Sequence, residues 1–160
     1  MTQTKQQKLR YGLYVPCFGK SAHPLLLADM ALEAEKAGWD GLFLWDHMVE
    51  WEKRVPLYDS FTCLAAIAMK TRRIRIGTTV TPLPRLKPWS VARQTATLDH
   101  LSGGRLILGV GLGGKESCDY ARFGEVEDNK VLAGKLMSHW TSSLGCGRGN
   151  HSATPESITD

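Results

Sequence analysis

The chain has 160 residues, 42% hydrophobic and 22% charged, which suits one soluble globular domain with a sizeable core. Its net charge of +4 is a mild excess, with Lys and Arg scattered among Asp and Glu, so nucleic acid is not an expected partner. No apolar run reaches the length of a membrane span, and Met1 to Arg10 lacks the apolar segment of a signal peptide, so a cytoplasmic protein with no membrane partner is expected.

Tyr11 to Val15 reads as a short strand. Ser21 to Pro24 then sets up a helix, with Ser21 as cap and Pro24 at an early helical position, running to Ala37 and stopping at Gly38. Leu26, Leu27, Met30, Ala31 and Ala34 recur at helical spacing and predict its apolar face. The second unit has a strand over Gly41 to Trp45 and a helix from Phe61 to Lys70, capped by Asp59 or Ser60. The third has a strand over Ile74 to Thr79 and a helix opened by Pro88 that ends near Leu101. The fourth has a strand over Arg105 to Gly109 and a helix between Val126 and Leu136. Strand starts recur roughly every 30 residues, the spacing of βαβ units, so the sheet is expected to be parallel. An open doubly wound sheet and an eight-unit barrel both remain compatible with four units. Pro16-Cys17-Phe18-Gly19 after the first strand is not the phosphate fingerprint that would favour the open sheet.

The four cysteines, Cys17, Cys63, Cys118 and Cys146, show neither a CxxC nor a Cys/His ligand spacing, which argues against a disulfide scaffold and a zinc site. In a parallel sheet the chemistry gathers at the C-terminal strand ends. Those ends carry Asp46 and His47, the hydroxyls of Thr78, Thr79 and Thr81, and the glycine run Gly109 to Gly114. His47 is the candidate proton carrier, because imidazole exchanges protons near neutral pH and Asp46 stands beside it to orient it. Against this stands the plain reading of a loop histidine. The threonines are equally what β-propensity selects, and the glycines equally mark a turn. His23, His100, His139 and His151 have no such setting and are read as surface residues, and the tryptophans as covers of core edges.

Three segments together carry a resemblance: Gly38-Trp39-Asp40-Gly41-Leu42-Phe43-Leu44-Trp45-Asp46-His47, Ile76-Gly77-Thr78-Thr79-Val80-Thr81, and Leu98 through Gly111, which contains Leu101-Ser102-Gly103-Gly104-Arg105. Over Leu9 to Leu136 the chain resembles the luciferase-like flavin-dependent oxidoreductases. The resemblance implies the first four units of a (β/α)8 TIM barrel binding reduced FMN or the deazaflavin coenzyme F420 at its C-terminal rim. It implies a small-molecule substrate, with a flavin reductase supplying reduced FMN in the monooxygenase case. The FMN monooxygenase is the first reading and an F420-dependent dehydrogenase or reductase the alternative. In the family pattern the residue matching His47 is catalytic, those matching Asp46, Thr79, Val80 and Thr81 line the cofactor, and the Thr79–Val80 peptide is often cis; Gly111, in a glycine run that lets a flat ligand approach the backbone, is the further cofactor-binding candidate. Some deazaflavin sugar-phosphate dehydrogenases carry an acidic residue after the glycine loop. Here Gly114 and Lys115 stand there, which disfavours that substrate.

Beyond Leu136 the family pattern is lost. Met137 to Asp160 is rich in Gly, Ser and Thr and is expected to be a disordered, non-family tail behind the half-barrel of residues 9–136. Back-translated with suitable codons and read one nucleotide earlier, it can give EPLDIIAGLWSGKPFSHPGEHYR, which has the helical pattern, turn and closing Gly-Glu-His-Tyr of the family. A frameshift is therefore expected at this point. A half-barrel would leave its first and fourth strands as open edges, through which copies could self-associate as a homo-oligomer or a non-catalytic module. It would also lack the phosphate-holding loops after strands seven and eight.

Overall fold

The computed structural model describes residues 9–48, 55–114 and 120–147. Four strands, β1 (Gly12–Val15), β2 (Gly41–Leu44), β3 (Arg75–Pro82) and β4 (Leu106–Gly111), alternate with four helices, α1 (Pro24–Lys36), α2 (Ser60–Lys70), α3 (Pro88–Ser102) and α4 (Asn129–Gly147). The strands lie side by side in chain order, all parallel, with Gly12 opposite Gly41, Gly41 opposite Arg75 and Ile76 opposite Leu106.

Order and layering separate the two architectures left open above. A doubly wound sheet reverses its strand order and carries helices on both faces. Here the order never reverses, and α1 packs on α2, α2 on α3 and α3 on α4, so the helices form one continuous layer. That is the pattern of a barrel wall. The core lies between this layer and the sheet, built from Leu27, Ala31, Leu42, Leu44, Leu64, Ile67 and Ile76. The opposite face of the sheet is uncovered, with Tyr14 58% and Ile107 44% exposed. Both β1 and β4 are edges among the described residues.

Local chemistry sets the boundaries. Asp59 caps α2, its Oδ1 accepting from the Thr62 N–H and hydroxyl, both at 2.7 Å. Asp128 caps α4 through the N–H groups of Lys130 and Val131, so that helix begins at Asn129 and not at Val126. Helix α3 ends at Gly103, whose φ of 69° is the left-handed cap that glycine adopts without a Cβ clash. Gly77 faces β4 closely enough that any Cβ would fall on the Ile107 carbonyl oxygen. The close pairing of β3 and β4 therefore requires glycine there.

Four further expectations are corrected. Helix α1 is capped by His23, whose Nδ1 accepts from the Leu25 N–H, while Ser21 belongs to the preceding 3-10 turn. Its buried face is turned toward Ala28 and Glu35, leaving Leu26 and Met30 exposed. The chain also stays helical past Leu136 as far as Gly147. The Ser143 hydroxyl donates to the Pro88 carbonyl, and His139 Nδ1 lies 3.1 Å from the Leu83 carbonyl, so this stretch docks on α3 and His139 is not a purely surface residue. His151 and the rest of the expected tail lie outside the described residues.

Glu35 explains the turn of α1. Its carboxylate reaches the start of β3 and accepts from the N–H groups of Arg72, Arg73 and Ile74 at 3.0, 2.6 and 2.8 Å. Arg105 closes the same end of the sheet with five hydrogen bonds, to Ser102 O, Thr71 Oγ1, Ile74 O, Ala68 O and Thr71 O. Backbone groups that no strand or helix satisfies are thus paired by two buried side chains. Burial would raise the Glu35 pKa, but the three N–H donors and the Arg73 charge outweigh it and hold the carboxyl below its ordinary range.

A carboxyl with a lowered folded pKa contributes stability that is complete above its unfolded pKa and disappears as pH falls through the folded one. Hydrogen bonds to charged groups contribute about 1.5–3 kcal/mol each, so Glu35→Gln is expected to lose about that much at pH 7. The difference from wild type should shrink to near zero once pH falls below the folded Glu35 pKa. Urea unfolding between pH 3 and 7 measures it, and a difference independent of pH would remove Glu35 from this role.

Candidate active site

The C-terminal strand ends share one rim. At the β1 end the Cys17 thiol donates to the Trp45 carbonyl at 2.8 Å, tying the first two strand ends together. Across the next loop, Tyr58 N–H donates to Cys17 O and Gly19 N–H to Pro56 O, and Phe18 bridges Leu57. Trp45 is the aromatic centre of the rim. Its ring meets Tyr14 at 5.2 Å, Phe18 at 5.7 Å and His47 at 5.8 Å. The Trp45 indole N–H is buried and finds no hydrogen-bond partner among the described residues.

His47 is half-buried and sits edge-on to both Trp45 and Phe18. It lines a cavity of about 240 Å³ with Asp46, Tyr58, Asp59, Arg85 and Gln94. Asp46 is nearly buried, and its carboxylate lies 3.1 Å from Arg85 Nη2, which also donates to the Asp46 backbone carbonyl at 3.3 Å. Burial raises the Asp46 pKa, while Arg85 and the hydroxyls of Thr81 and Ser60 pull it back down, leaving it above its ordinary value.

The Thr79–Val80 peptide is cis, as the resemblance implies, and the pairing with β4 slips a register between Thr78 and Thr81. The hydroxyls of Thr78 and Thr81 pair with each other at 2.8 Å in the interior, so Thr81 points toward Asp46 and not onto the open face. Val80 stands on that face, 41% exposed, beside Gly111, where an added Cβ would lie 2.8 Å from Val80 Cγ2. Gly109 is similarly tight, with a Cβ meeting Thr78 O at 2.5 Å. The expected residues therefore form two groups. Asp46, His47 and Thr81 gather round one pocket, while Thr79, Val80 and Gly111 line a shelf free of long side chains. Arg85 was not foreseen. The signal available was a lone cation in the run Pro82-Leu83-Pro84-Arg85-Leu86, directly after a strand end. The part of the glycine loop at Lys115 lies outside the described residues. Among the described residues no cluster of metal-ligating side chains forms, and no helix is long and apolar enough to cross a membrane.

The family model of the luciferase-like monooxygenases matches residues 18–133. An F420-dependent glucose-6-phosphate dehydrogenase of Kineococcus radiotolerans is 36% identical over 117 residues, covering 71% of this chain and 34% of the relative. A solved F420-dependent secondary alcohol dehydrogenase in complex with an F420-acetone adduct superposes with a TM-score of 0.77 at 22% identity, covering 96% of this chain and 46% of that one. The oxygenating constituent of 3,6-diketocamphane monooxygenase from Pseudomonas putida, in complex with FMN, superposes with a TM-score of 0.69 at 20% identity, over 84% of this chain and 38% of that one. The two solved structures establish the fold, a barrel of which this chain spans less than half.

Burial shuts down the two interior thiols. It raises the Cys17 pKa to about 12 and the Cys63 pKa to about 11, aided by the charges of Cys63 and Asp46 on Cys17 and of Asp59 on Cys63. Thiolate is the reactive species, so neither residue should be alkylated by iodoacetamide at pH 8 in the folded protein, and both should react in guanidinium. Mass mapping of labelled peptides checks this. Native labelling of Cys17 at the denatured rate would show that the rim does not hold its thiol against Trp45 as described.

Proposed function

The chain belongs to the luciferase-like monooxygenase family, and on that premise we propose that it is the first half of an F420-dependent oxidoreductase acting on a small organic molecule. The observation that carries the coenzyme choice is its 36% identity over 117 residues to an F420-dependent dehydrogenase. This similarity favours the deazaflavin over the reduced FMN expected first from the motifs. A flavin reductase partner belongs only to the FMN reading. Glucose 6-phosphate is not proposed as substrate, because Gly114 and Lys115 stand where an acidic residue follows the glycine loop in the sugar-phosphate pattern.

The residues present fit a flat ring. Gly109 and Gly111 keep the shelf beside Thr79 and Val80 clear of side chains, since a Cβ at either glycine would press into its neighbours. The buried Trp45 N–H offers an unused donor on the same rim. F420, when bound, supplies hydride transfer. Val80 and Gly111 would support the ring, and the aromatic wall of Trp45 and Phe18 would exclude water and orient His47. His47 would carry the proton that accompanies reaction at the substrate oxygen, a step general acids and bases accelerate about 100- to 10,000-fold. Asp46 would hold the turn on which His47 is presented.

Fluorescence titration of the purified chain with F420 and, separately, with FMN tests the coenzyme. Saturation by F420 at a lower concentration than FMN is expected, with binding weakened at least tenfold by Gly111→Val. Tighter FMN binding would return the reading to a monooxygenase. The mass of the chain in solution, measured in parallel, examines self-association through the two open edges, the reading in which half-barrels close on one another.

The frameshift is retained as part of this proposal. What supports it is the poor fit of α4. Past Leu136 its large apolar side chains Met137, Trp140 and Leu144 are exposed, and a gap of about 450 Å³ remains between α3, β4 and this stretch, with Trp140, Ser143 and Leu144 on its wall. Sequencing the gene across the codons for Lys135 to Ser138 is expected to uncover four further β/α units in the neighbouring frame. An intact frame with no barrel sequence in any other would sink the idea.

A further inference from the structure

The buried pair at the rim joins Asp46 to a cation that the sequence did not single out. Arg85 ends the 3-10 turn Leu83–Arg85, between β3 and α3, and its side chain is 6% exposed. Nη2 reaches the Asp46 carboxylate at 3.1 Å and the Asp46 carbonyl at 3.3 Å. Two anchor points on one residue fix both its side chain and its peptide plane, and the peptide so fixed is the one that leads into His47. Arg85 and His47 also face the same cavity.

We propose that Arg85 is a positioning residue of this site, which by holding the carboxylate and the backbone carbonyl of Asp46 sets the orientation of His47. Both contacts come from the two N–H bonds of Nη2, which the planar guanidinium holds in fixed directions, whereas a lysine ammonium rotates about its stem. The cation also faces a carboxylate under pressure to protonate. Asp46 sits among Asp59 at the start of α2, Cys17 at the end of β1, His47 on its own loop and the hydroxyls of Thr81 and Ser60. Burial and the Asp59 charge both disfavour its anion. Arg85 is the opposing charge, and the strongest influence drawing that acidity back toward its ordinary value. The inference rests on Asp46 and His47 being site residues, and not on which coenzyme they serve.

The test uses the full chain in four forms besides wild type: Arg85→Lys, Arg85→Met, Asp46→Asn, and Arg85→Met with Asp46→Asn. Carbon NMR of labelled aspartate follows the Asp46 carboxyl with pH, and proton–nitrogen spectra follow the His47 ring. Arg85→Met should move the Asp46 titration to higher pH, and Arg85→Lys should bring it part of the way back. The His47 signals should change in both Arg85→Met and Asp46→Asn, and the double variant should change them by less than the sum, because the two single variants break the same carboxylate contact. An Asp46 titration unchanged in folded Arg85→Met, or His47 changes that simply add in the double variant, overturns the proposal. If Arg85→Met does not fold, Arg85→Lys and Asp46→Asn decide it: coincident His47 changes support the role and unrelated ones overturn it. Failure of the chain to take up F420 would leave these titrations untouched, so the coenzyme reading and the Arg85 inference fail separately.

Discussion

The parallel, in-order pairing of four strands is the constraint from which the rest follows. Parallel neighbours cannot be joined by a tight turn, so each pair needs a crossover, and here every crossover helix lies on one side of the sheet. All four strands then end on the same rim, which is why Cys17, Asp46, Thr81 and Gly111 share one end of the sheet although nearly a hundred residues separate the first from the last. The same constraint leaves the other face bare. Leu42, Leu44 and Ile76 disappear under the helices, while Tyr14, Val80 and Ile107 remain open. An apolar surface of this kind, flanked by two unpaired edges, is what further strands of a barrel cover, and a protein that keeps it exposed is liable to associate.

The two ends of the sheet use the same chemical pair for opposite purposes. At the N-terminal end Glu35 and Arg105 do not meet each other. Each is spent on backbone groups, the carboxylate on three N–H donors and the guanidinium chiefly on carbonyls. Glu35 is consequently held ionised by fixed donors, and its acidity is increased. At the C-terminal end Asp46 meets Arg85 directly, has no such set of backbone donors among the described residues, and is made less acidic by its burial. A carboxylate satisfied by backbone is inert scaffolding. One balanced between burial and a single cation responds to whatever enters beside it, which is how sites with shifted acidity are built. Barrel folds in general divide stability and chemistry between these two ends.

Much of this was legible in the residues. Periodicity located all four strands and helices, because alternation of buried β positions and helical apolar spacing are local signals. The rim residues could be named because every strand end in a parallel sheet points the same way. What escaped were side chains whose role is set by distant partners. Glu35 lies in a run of charges on α1 and looks solvated, yet it is buried because the loop before β3, almost forty residues on, needs its oxygens. Arg85 follows two prolines and looks like a loop cation, yet its partner is 39 residues earlier. His23 replaced Ser21 as the cap of α1 because Pro24 takes the first helical position, leaving the residue before it to receive the Leu25 N–H. Thr79 and Thr81 were named together as rim residues, but the register slip between Thr78 and Thr81 separates them and turns Thr81 inward. Strict alternation cannot anticipate such a slip.

Helix α4 shows where local and long-range signals part. Up to Leu136 it has a good cap in Asp128 and a buried anchor in Leu132, and it contacts α3. Beyond Leu136 nothing in Met137-Ser138-His139-Trp140-Thr141 forbids continuing, since no proline or glycine interrupts, and an established helix propagates more readily than it starts. The helix therefore runs on to Gly147. Its later turns are held by two polar contacts to backbone carbonyls, at Leu83 and Pro88, while Trp140 and Leu144 border a gap and remain substantially exposed. Continuation of a helix needs only permissive residues, whereas filling the space between α3 and β4 needs particular ones. A segment that meets the first condition and not the second has helical form without the packing that would fill this space.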